Sequence, residues 1–155
     1  MIQNIHVIPA LVPLDVTTTG TEIFTDVFNM GKVVAFEFIL QLGAITTDNT
    51  IIKVYEVADT TAAAGDAITF HYKKSAALGT DASTAWATSA ALTLTAVTDN
   101  NKTVRIAVVP SELSSGHPYV YLGIDPGEAQ TVGFYAVVAV SIPNYDQSIP
   151  PSIVT

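Results

Sequence analysis

Apolar and polar residues alternate with period two along most of this 155-residue chain, and helical periodicity is hard to find. Alternation of this kind indicates β-strands that bury one face. Turn-forming Asp, Asn, Gly and Pro residues separate the apolar runs, as expected between short strands. The clear strand candidates are 34–40, 51–57, 68–73, 92–97, 104–108, 119–124 and 134–142, and two weaker candidates lie near 5–8 and 22–27.

Many short strands without intervening helices predict an all-β fold, an antiparallel β-sandwich that is jelly-roll-like with seven to nine strands. The length matches one domain. We therefore predict an extended N-terminal arm over 1–15, a β-sandwich over 16–142 and a proline-containing C-terminal arm over 143–155. Only 110–113 looks like a helical turn, with proline in its first turn, and a β-turn fits the same residues.

The two arms are apolar and rich in proline. Proline favours extended backbone and is excluded from the middle of a sheet. Disordered tails are normally polar, so arms of this composition are expected to dock, either on a neighbouring subunit or on their own domain. The predicted partner-contact residues are Ile2, Ile5, Val7, Pro9, Leu11, Pro13, Tyr145, Ile149, Pro150, Pro151 and Ile153.

The chain is also more apolar than one small domain needs, with 49% hydrophobic residues, 13% charged residues and a mean hydropathy of +0.42. Intrinsic disorder is excluded by this composition. A membrane helix is not expected, because the longest apolar stretches have ten or eleven residues and a span needs about 20. We assign the surplus to surfaces shared between chains: the arms and a strand face carrying Ile39, Tyr55, Val57 and Val137.

Fourteen acidic residues against six basic ones give a net charge of −8, and the chain has no cysteine. A nucleic-acid partner is not expected, because phosphate binding needs clustered Lys and Arg. The absence of cysteine excludes disulfides, thiolate metal sites and a cysteine nucleophile.

Groups that could perform catalysis are few. His6, His71 and His117 show no metal-ligand spacing. Glu37 and Glu56 are the only in-strand carboxylates that could form a glycosidase-type pair, and pairing with Lys53 or exposure to water is the simpler expectation for each. We predict no enzymatic activity and no cofactor.

The long, small-residue segment 75–91 contains the only tryptophan, Trp86. It is expected to anchor this loop over the sandwich edge. The alternative is a stacking platform formed with Tyr119 and Tyr121, which would make the chain a carbohydrate-binding or host-adhesion module.

Several short runs in this sequence resemble a group of small tailed-phage structural proteins, the capsid auxiliary, cement or decoration proteins. In that group a lysine-started strand leads into a Pro-x-x-Leu turn, and a later strand leads through a Gly-containing loop into a final apolar strand. The matching runs are Trp86, 91–96, 101–113, 116–120, 127–129, 134–140 and the opening arm 8–15. The Ala-rich stretch 60–64 and the C-terminal tail depart from the pattern.

The resemblance implies a jelly-roll-like sandwich, commonly trimeric, that binds the major capsid protein on the outer face of a capsid lattice and stabilises it. It also implies a location on the capsid exterior, with assembly in the host cytoplasm, and neither enzymatic activity nor a cofactor. Within the virion, a tail or head-completion role is an alternative.

Overall fold

The computed structural model describes residues 5–15, 20–45, 47–60, 65–77, 80–128, 130, 133–144 and 153–154. In this part of the chain the structure consists of short antiparallel strands and two single turns of 3-10 helix. The strands are β1 (His6–Asp15), β2 (Ile23–Phe24), β3 (Phe28–Asn29), β4 (Val33–Leu42), β5 (Thr50–Val57), β6 (Asp66–Ile68), β7 (Phe70–Lys74), β8 (Ala87–Ser89), β9 (Leu92–Leu94), β10 (Thr103–Val108), β11 (Tyr119–Asp125) and β12 (Phe134–Pro143).

These strands form two sheets that pack face to face. Sheet I has the order β1-β12-β4-β10-β7-β8. Sheet II has the order β2-β11-β5-β6, with β3 alongside β11 and β9 alongside β5. The predicted all-β antiparallel sandwich is confirmed.

The strand pairings nest inside one another like the pairings of one long hairpin. β1 pairs with β12, β2 and β3 pair with β11, β4 pairs with β10, and β5 pairs with β9. Rolling this hairpin up adds the lateral pairs β12–β4 and β11–β5. Nested pairing of this kind is the connectivity of a jelly roll.

The core lies between the sheets, and it is formed by every second side chain of the strands that face it. In β4, Phe36, Phe38 and Leu40 are buried. Phe28 packs against both phenylalanines, with ring centroids 5.1 and 5.6 Å apart. Burying one such side chain contributes about 1.5–3 kcal/mol, so these layers provide much of the driving force for folding.

The N-terminal segment predicted as an arm forms β1, an edge strand of sheet I that pairs with β12 from His6 to Asp15. It therefore docks on its own domain, which is the alternative that the sequence left open. Pro9 and Pro13 are compatible with this position, since proline is tolerated in edge strands where its missing N–H would face solvent.

At the other end of the chain, Ile153 is 1% exposed and belongs to the core of its own domain. Its carbonyl accepts a hydrogen bond from Asn29 N at 2.8 Å, and Val154 bridges to Phe28. The partner-contact prediction for Ile153 is corrected by this burial, because its side chain offers no surface to another chain.

The strand predictions need three further corrections. The segment 68–73 is broken at Thr69, where the chain crosses from β6 in sheet II to β7 in sheet I. The segment 92–97 ends early, since β9 stops at Leu94 and a turn follows. β8 lies in what was predicted as a loop.

The segment at Pro110–Glu112 is a turn of 3-10 helix with proline in its first turn.

Candidate assembly surface

The face of sheet I that points away from the core has two lateral rows of side chains set by strand register. The first row runs from Val7 in β1 through Val140 in β12 and Glu37 in β4 to Ala107 in β10 and His71 in β7. Residues opposite each other in an antiparallel ladder share one face, so these five side chains are neighbours on the outer surface.

The second row is parallel to the first and two residues away along each strand. It contains Pro9, Val138, Ile39, Arg105 and Lys73 in the same strand order. In both rows the side chains of β1 and β12 are apolar, and charged side chains appear from β4 and β10 onward. The outer face therefore has an apolar half on β1 and β12, a boundary on β4 that carries both Ile39 and Glu37, and a cationic half on β10 and β7.

The apolar half is open to solvent in this chain. Val7 is 67% exposed and Phe134 is 51% exposed, and Ile142 is also exposed. A shallow depression of about 170 Å³ is lined by Ile142 together with Val140 and Trp86. An exposed apolar patch on the adjacent strands β1 and β12 is typical of an interaction surface.

An ion pair separates the two halves. The Arg105 guanidinium donates to both carboxylate oxygens of Glu37, at 2.6 Å from Nη2 to Oε2. This bidentate geometry is the strong form of the Arg–carboxylate pair. The hydrogen bonds to Glu37 raise the pKa of Arg105 above its ordinary value, against the opposing effect of burial. The predicted partner of Glu37, Lys53, lies in sheet II instead.

Trp86 stands where the two halves meet. Its ring is 48% exposed. The Lys73 ammonium lies 5.0 Å from the ring centroid and the Arg105 guanidinium carbon 5.9 Å from it, which is cation–π geometry for both. Each such contact is worth about 0.5–1 kcal/mol at an exposed site, so the two together favour this position of the indole.

Behind the cationic half, a buried carboxylate holds two loops together. Asp99 is buried and accepts hydrogen bonds from Lys74 Nζ at 3.0 Å, Lys102 Nζ at 2.9 Å and Thr95 N at 2.9 Å. Burial alone would raise the pKa of Asp99, but these donors outweigh it and hold the pKa below the ordinary value. Lys73, Lys74, Lys102 and Arg105 are four of the six basic residues, so most of the positive charge is concentrated in this region.

The outer face of sheet II carries an aromatic cluster that is closed rather than open. Tyr55 stacks on Tyr121 at 5.1 Å between centroids, and Phe24 packs edge-on against both rings. The Tyr55 hydroxyl donates to Glu22 at 2.8 Å. Burial and this acidic neighbour raise the pKa of Tyr55 far above its ordinary value, so the hydroxyl stays protonated.

This cluster contradicts the predicted stacking platform. Tyr121 is 1% exposed and its hydroxyl accepts a hydrogen bond from Gly65 N. Trp86 contacts Lys73 and Arg105 of sheet I, whereas Tyr119 and Tyr121 belong to β11 in sheet II. The three rings therefore do not form one surface.

The predicted strand face also needs correction. Val137 is fully buried and Val57 is 4% exposed, so neither is available at a surface. In β12 the outward side chains are those of 134, 136, 138, 140 and 142. Both faces of this strand are apolar, so alternation could not indicate which one meets the core. Ile39 does face outward, in the second row.

Five predicted partner-contact residues lie in the described N-terminal segment. Ile5, Val7, Pro9 and Pro13 are exposed and Leu11 is partly buried. Val7 and Pro9 lie in the two rows of the outer face. Contact of this segment with a partner remains a prediction. The remaining predicted residues, Ile2, Tyr145, Ile149, Pro150 and Pro151, lie outside the described residues.

The carboxylates considered for catalysis lie apart. Glu37 is on the outer face of sheet I, whereas Glu56 is a buried residue of β5 that accepts a hydrogen bond from Ser114 N at 2.8 Å. His71 lies 3.4 Å from the Glu112 carboxylate. Within the described ranges, no group of three or more His, Cys, Asp or Glu residues could hold a metal ion.

The fold defines this protein as an all-β, jelly-roll-type sandwich. No protein-family model matches the chain, and no curated protein matches it. Two solved structures are weakly similar: a mutant VP2 protein of infectious bursal disease virus in derived T=1 particles (12% identity, TM-score 0.27) and the Gt strain of the same virus (13%, 0.23). Each match covers 95% of this chain and 42% of the other, so this chain spans less than half of their length.

In the part of the chain that the structure describes, no helix is long and apolar enough to span a membrane.

Proposed function

We propose that this chain is a structural assembly protein without catalytic activity, and that it docks through the outer face of sheet I. The observation that carries the proposal is the exposed apolar half of that face, which lies on the adjacent strands β1 and β12. In its specific form, the proposal is a cement or decoration protein that binds the major capsid protein on the exterior of a phage capsid and stabilises the lattice.

The strand edges favour docking by a face rather than by strand addition. β1 is a long edge strand, but Pro9 and Pro13 remove two of its hydrogen-bond donors. The opposite edge of sheet I is β8, which has only three residues. Proline and short strands are common protections against edge-to-edge pairing. Proline and short strands protect the edges of sheet I, but they do not cover its apolar outer face.

The energetics suit a protein that acts in many copies. Burying apolar surface contributes about 25 cal/mol per Å², but association first costs about 4–15 kcal/mol in lost freedom of motion. A single patch of this kind therefore supports modest affinity. Copies linked through one another or through a common lattice gain effective concentration, so weak individual contacts add up to stable attachment.

The charge distribution fits an exterior position. The net charge of −8 keeps particles soluble and mutually repelling. Of the basic residues near β7 and β10, Lys74 and Lys102 are paired with Asp99 and Arg105 with Glu37, so they are engaged by carboxylates. This supports an outward-facing surface rather than one packed on nucleic acid.

The test is co-sedimentation of the purified chain with capsids from the phage whose genome carries it, after removal of the resident protein. We expect the wild type to bind and Val138→Asp and Val140→Asp each to weaken binding at least tenfold. Val97→Asp is the matched control, because Val97 is an exposed valine in the β9–β10 turn, outside this face. Circular dichroism checks that each variant is folded.

Two outcomes would overturn the proposal. One is a wild-type chain that does not sediment with capsids or that lies in the tail in a density map of the particle. The other is equal binding by the two face variants and the control.

A further inference from the structure

We propose that Trp86, flanked by Lys73 and Arg105, is a knob that docks into an acidic cleft on a second copy of this chain. The cleft is lined by Glu56, Ala67, Ile68, Thr69, His71, Thr88, Glu112 and Ser114. This contact rests on the proposed assembly function and identifies how copies meet one another.

The knob combines the features of a strong contact residue. A half-exposed indole is held in one place by two cations, as described above. Tryptophan and arginine dominate the energetic centres of protein interfaces. Because the ring is already fixed by Lys73 and Arg105, little side-chain entropy remains to be lost on docking.

The cleft has the size and the chemistry to receive this knob. Its volume is about 530 Å³, within the range of about 300–1,000 Å³ typical of sites that enclose a ligand. Ala67 and Ile68 provide apolar contact for an indole. The Glu56 carboxylate is held in place by the Ser114 N–H, and the Glu112 carboxylate is half-exposed at the rim.

Charge complementarity selects a second copy as the occupant. The cleft contributes the carboxylates of Glu56 and Glu112, and the knob contributes the Lys73 ammonium beside the Arg105–Glu37 ion pair. Lys74 and Lys102 are paired with Asp99, so the complementary charges that remain are those of Lys73 on the knob and the half-exposed Glu112 at the rim of the cleft. Complementary patches of this kind set the register and orientation of association.

The positions of knob and cleft make the contact reciprocal. Ala87 pairs with Tyr72 and Thr88 pairs with His71, so Thr88 and His71 lie side by side in the cleft. Trp86 is two residues from Thr88 on the same strand segment, about 7 Å away. A two-fold axis near Ala87 would therefore place each Trp86 over the partner's cleft, since a two-fold contact uses one patch twice.

The test is the mass of the full chain in solution, measured by light scattering and by sedimentation over a dilution series. We expect the wild type to associate beyond its chain mass of 16.3 kDa. Trp86→Ala, Lys73→Glu and Glu112→Lys should each raise the dissociation constant at least tenfold. Lys53→Glu and Glu128→Lys are the matched controls, because they make the same charge changes outside the knob and the cleft.

Charge exchange makes the assignment specific. Neither Lys73→Glu nor Glu112→Lys should self-associate, because like charges then meet at each contact between knob and cleft. An equimolar mixture of the two variants should form heteromers, because the knob of each variant then meets a cleft of opposite charge on the other. The double variant Lys73→Glu/Glu112→Lys should regain association for the same reason. Thermal melting confirms that the single variants remain folded.

The inference is overturned if the wild type is a single chain at all concentrations, if Trp86→Ala associates like the wild type, or if the mixture fails to form heteromers. A single chain that still binds capsids would overturn this inference alone. An associating chain that responds to these variants but never binds capsids would overturn the proposed function alone.

Discussion

Val97 shows how one residue can be held in a conformation that its side chain disfavours. It has φ +66° and is 69% exposed, and its N–H donates to the Ile45 carbonyl at 2.8 Å. A β-branched residue in the left-handed region is a conformational outlier. The hydrogen bond and the turn around it maintain this conformation, and the side chain gains little burial in return.

We predict that Val97→Asn stabilises the protein by about 1 kcal/mol, because asparagine tolerates the left-handed region and no core contact is lost. Chemical denaturation of both proteins measures the change. Val34→Asn, at another exposed valine with ordinary backbone conformation, is the control and should give no gain. A Val97→Asn protein no more stable than the wild type would contradict the strain argument.

Asp99 makes the stability of the protein depend on pH. The pKa of Asp99 is lower in the folded protein than in the unfolded chain. The contribution of Asp99 to the free energy of unfolding is therefore complete above the pKa of the unfolded chain, about 3.9, and is lost as the pH falls through the pKa of the folded protein. We predict that Asp99→Asn lowers the free energy of unfolding by about 2–3 kcal/mol at pH 7, because Lys74 and Lys102 lose a charged acceptor.

The measurement is urea denaturation from pH 7 to pH 2.5. The difference between wild type and Asp99→Asn should shrink as the pH falls below 4, because protonated aspartic acid and asparagine are then both neutral. Asp81→Asn, at an exposed aspartate, is the control. A constant difference across this pH range would show that charge at Asp99 does not contribute.

At the scale of elements, one hydrogen bond joins the two sheets inside the core. Tyr135 of β12 and Thr50 of β5 are fully buried, and their hydroxyl oxygens lie 2.6 Å apart. Most of the side chains buried between the two sheets are apolar and pack without directional contacts. This pair adds a directional contact that fixes how β12 lies over β5.

We predict that Tyr135→Phe destabilises the protein by about 1–2 kcal/mol, because the Thr50 hydroxyl is left buried without its partner. The double variant Tyr135→Phe/Thr50→Val removes both polar groups and should recover part of this loss. A double-mutant cycle in urea measures the coupling. Strictly additive effects would mean that the bond does not contribute to stability.

At the scale of the whole molecule, the two ends of the described chain belong to the sandwich. β1 is the edge strand of sheet I, and Ile153 belongs to the core, next to the bridge between Val154 and Phe28. Removing either end should therefore affect folding as well as any contact with a partner, and truncation alone does not separate the two effects.

We predict that Ile153→Ala lowers the free energy of unfolding by about 2–4 kcal/mol through loss of buried apolar surface and the cavity that remains. Ile142→Ala, at an exposed isoleucine of the outer face, is the matched control and should change stability by less than about 1 kcal/mol. Thermal and urea denaturation give the comparison. Equal effects at both positions would contradict the core placement of Ile153.

The fold class follows from local sequence pattern alone. Alternation in 34–40, 51–57, 104–108, 119–124 and 134–142 predicts strands that the structure confirms, because the period-two pattern is a local property of an extended backbone with one buried face. The same alternation in β4 predicts Val34, Phe36, Phe38 and Leu40 on one face; the last three line the core, whereas Val34 near the start of the strand is 59% exposed. Proline in 2–14 predicted extended backbone outside the middle of a sheet, and β1 is an edge strand.

Which faces and segments remain exposed depends on long-range packing, which local pattern does not specify. In β12 both faces are apolar, so local pattern could not distinguish the buried Val137 from the outward Val138 and Val140. Glu37 pairs with Arg105 rather than with Lys53, and Trp86 contacts Lys73 and Arg105 rather than Tyr121. These contacts depend on which strands lie side by side in a sheet. The candidate assembly surface depends on such long-range pairings: strand register between β1, β12, β4 and β10 creates it, and no local stretch of sequence encodes that register.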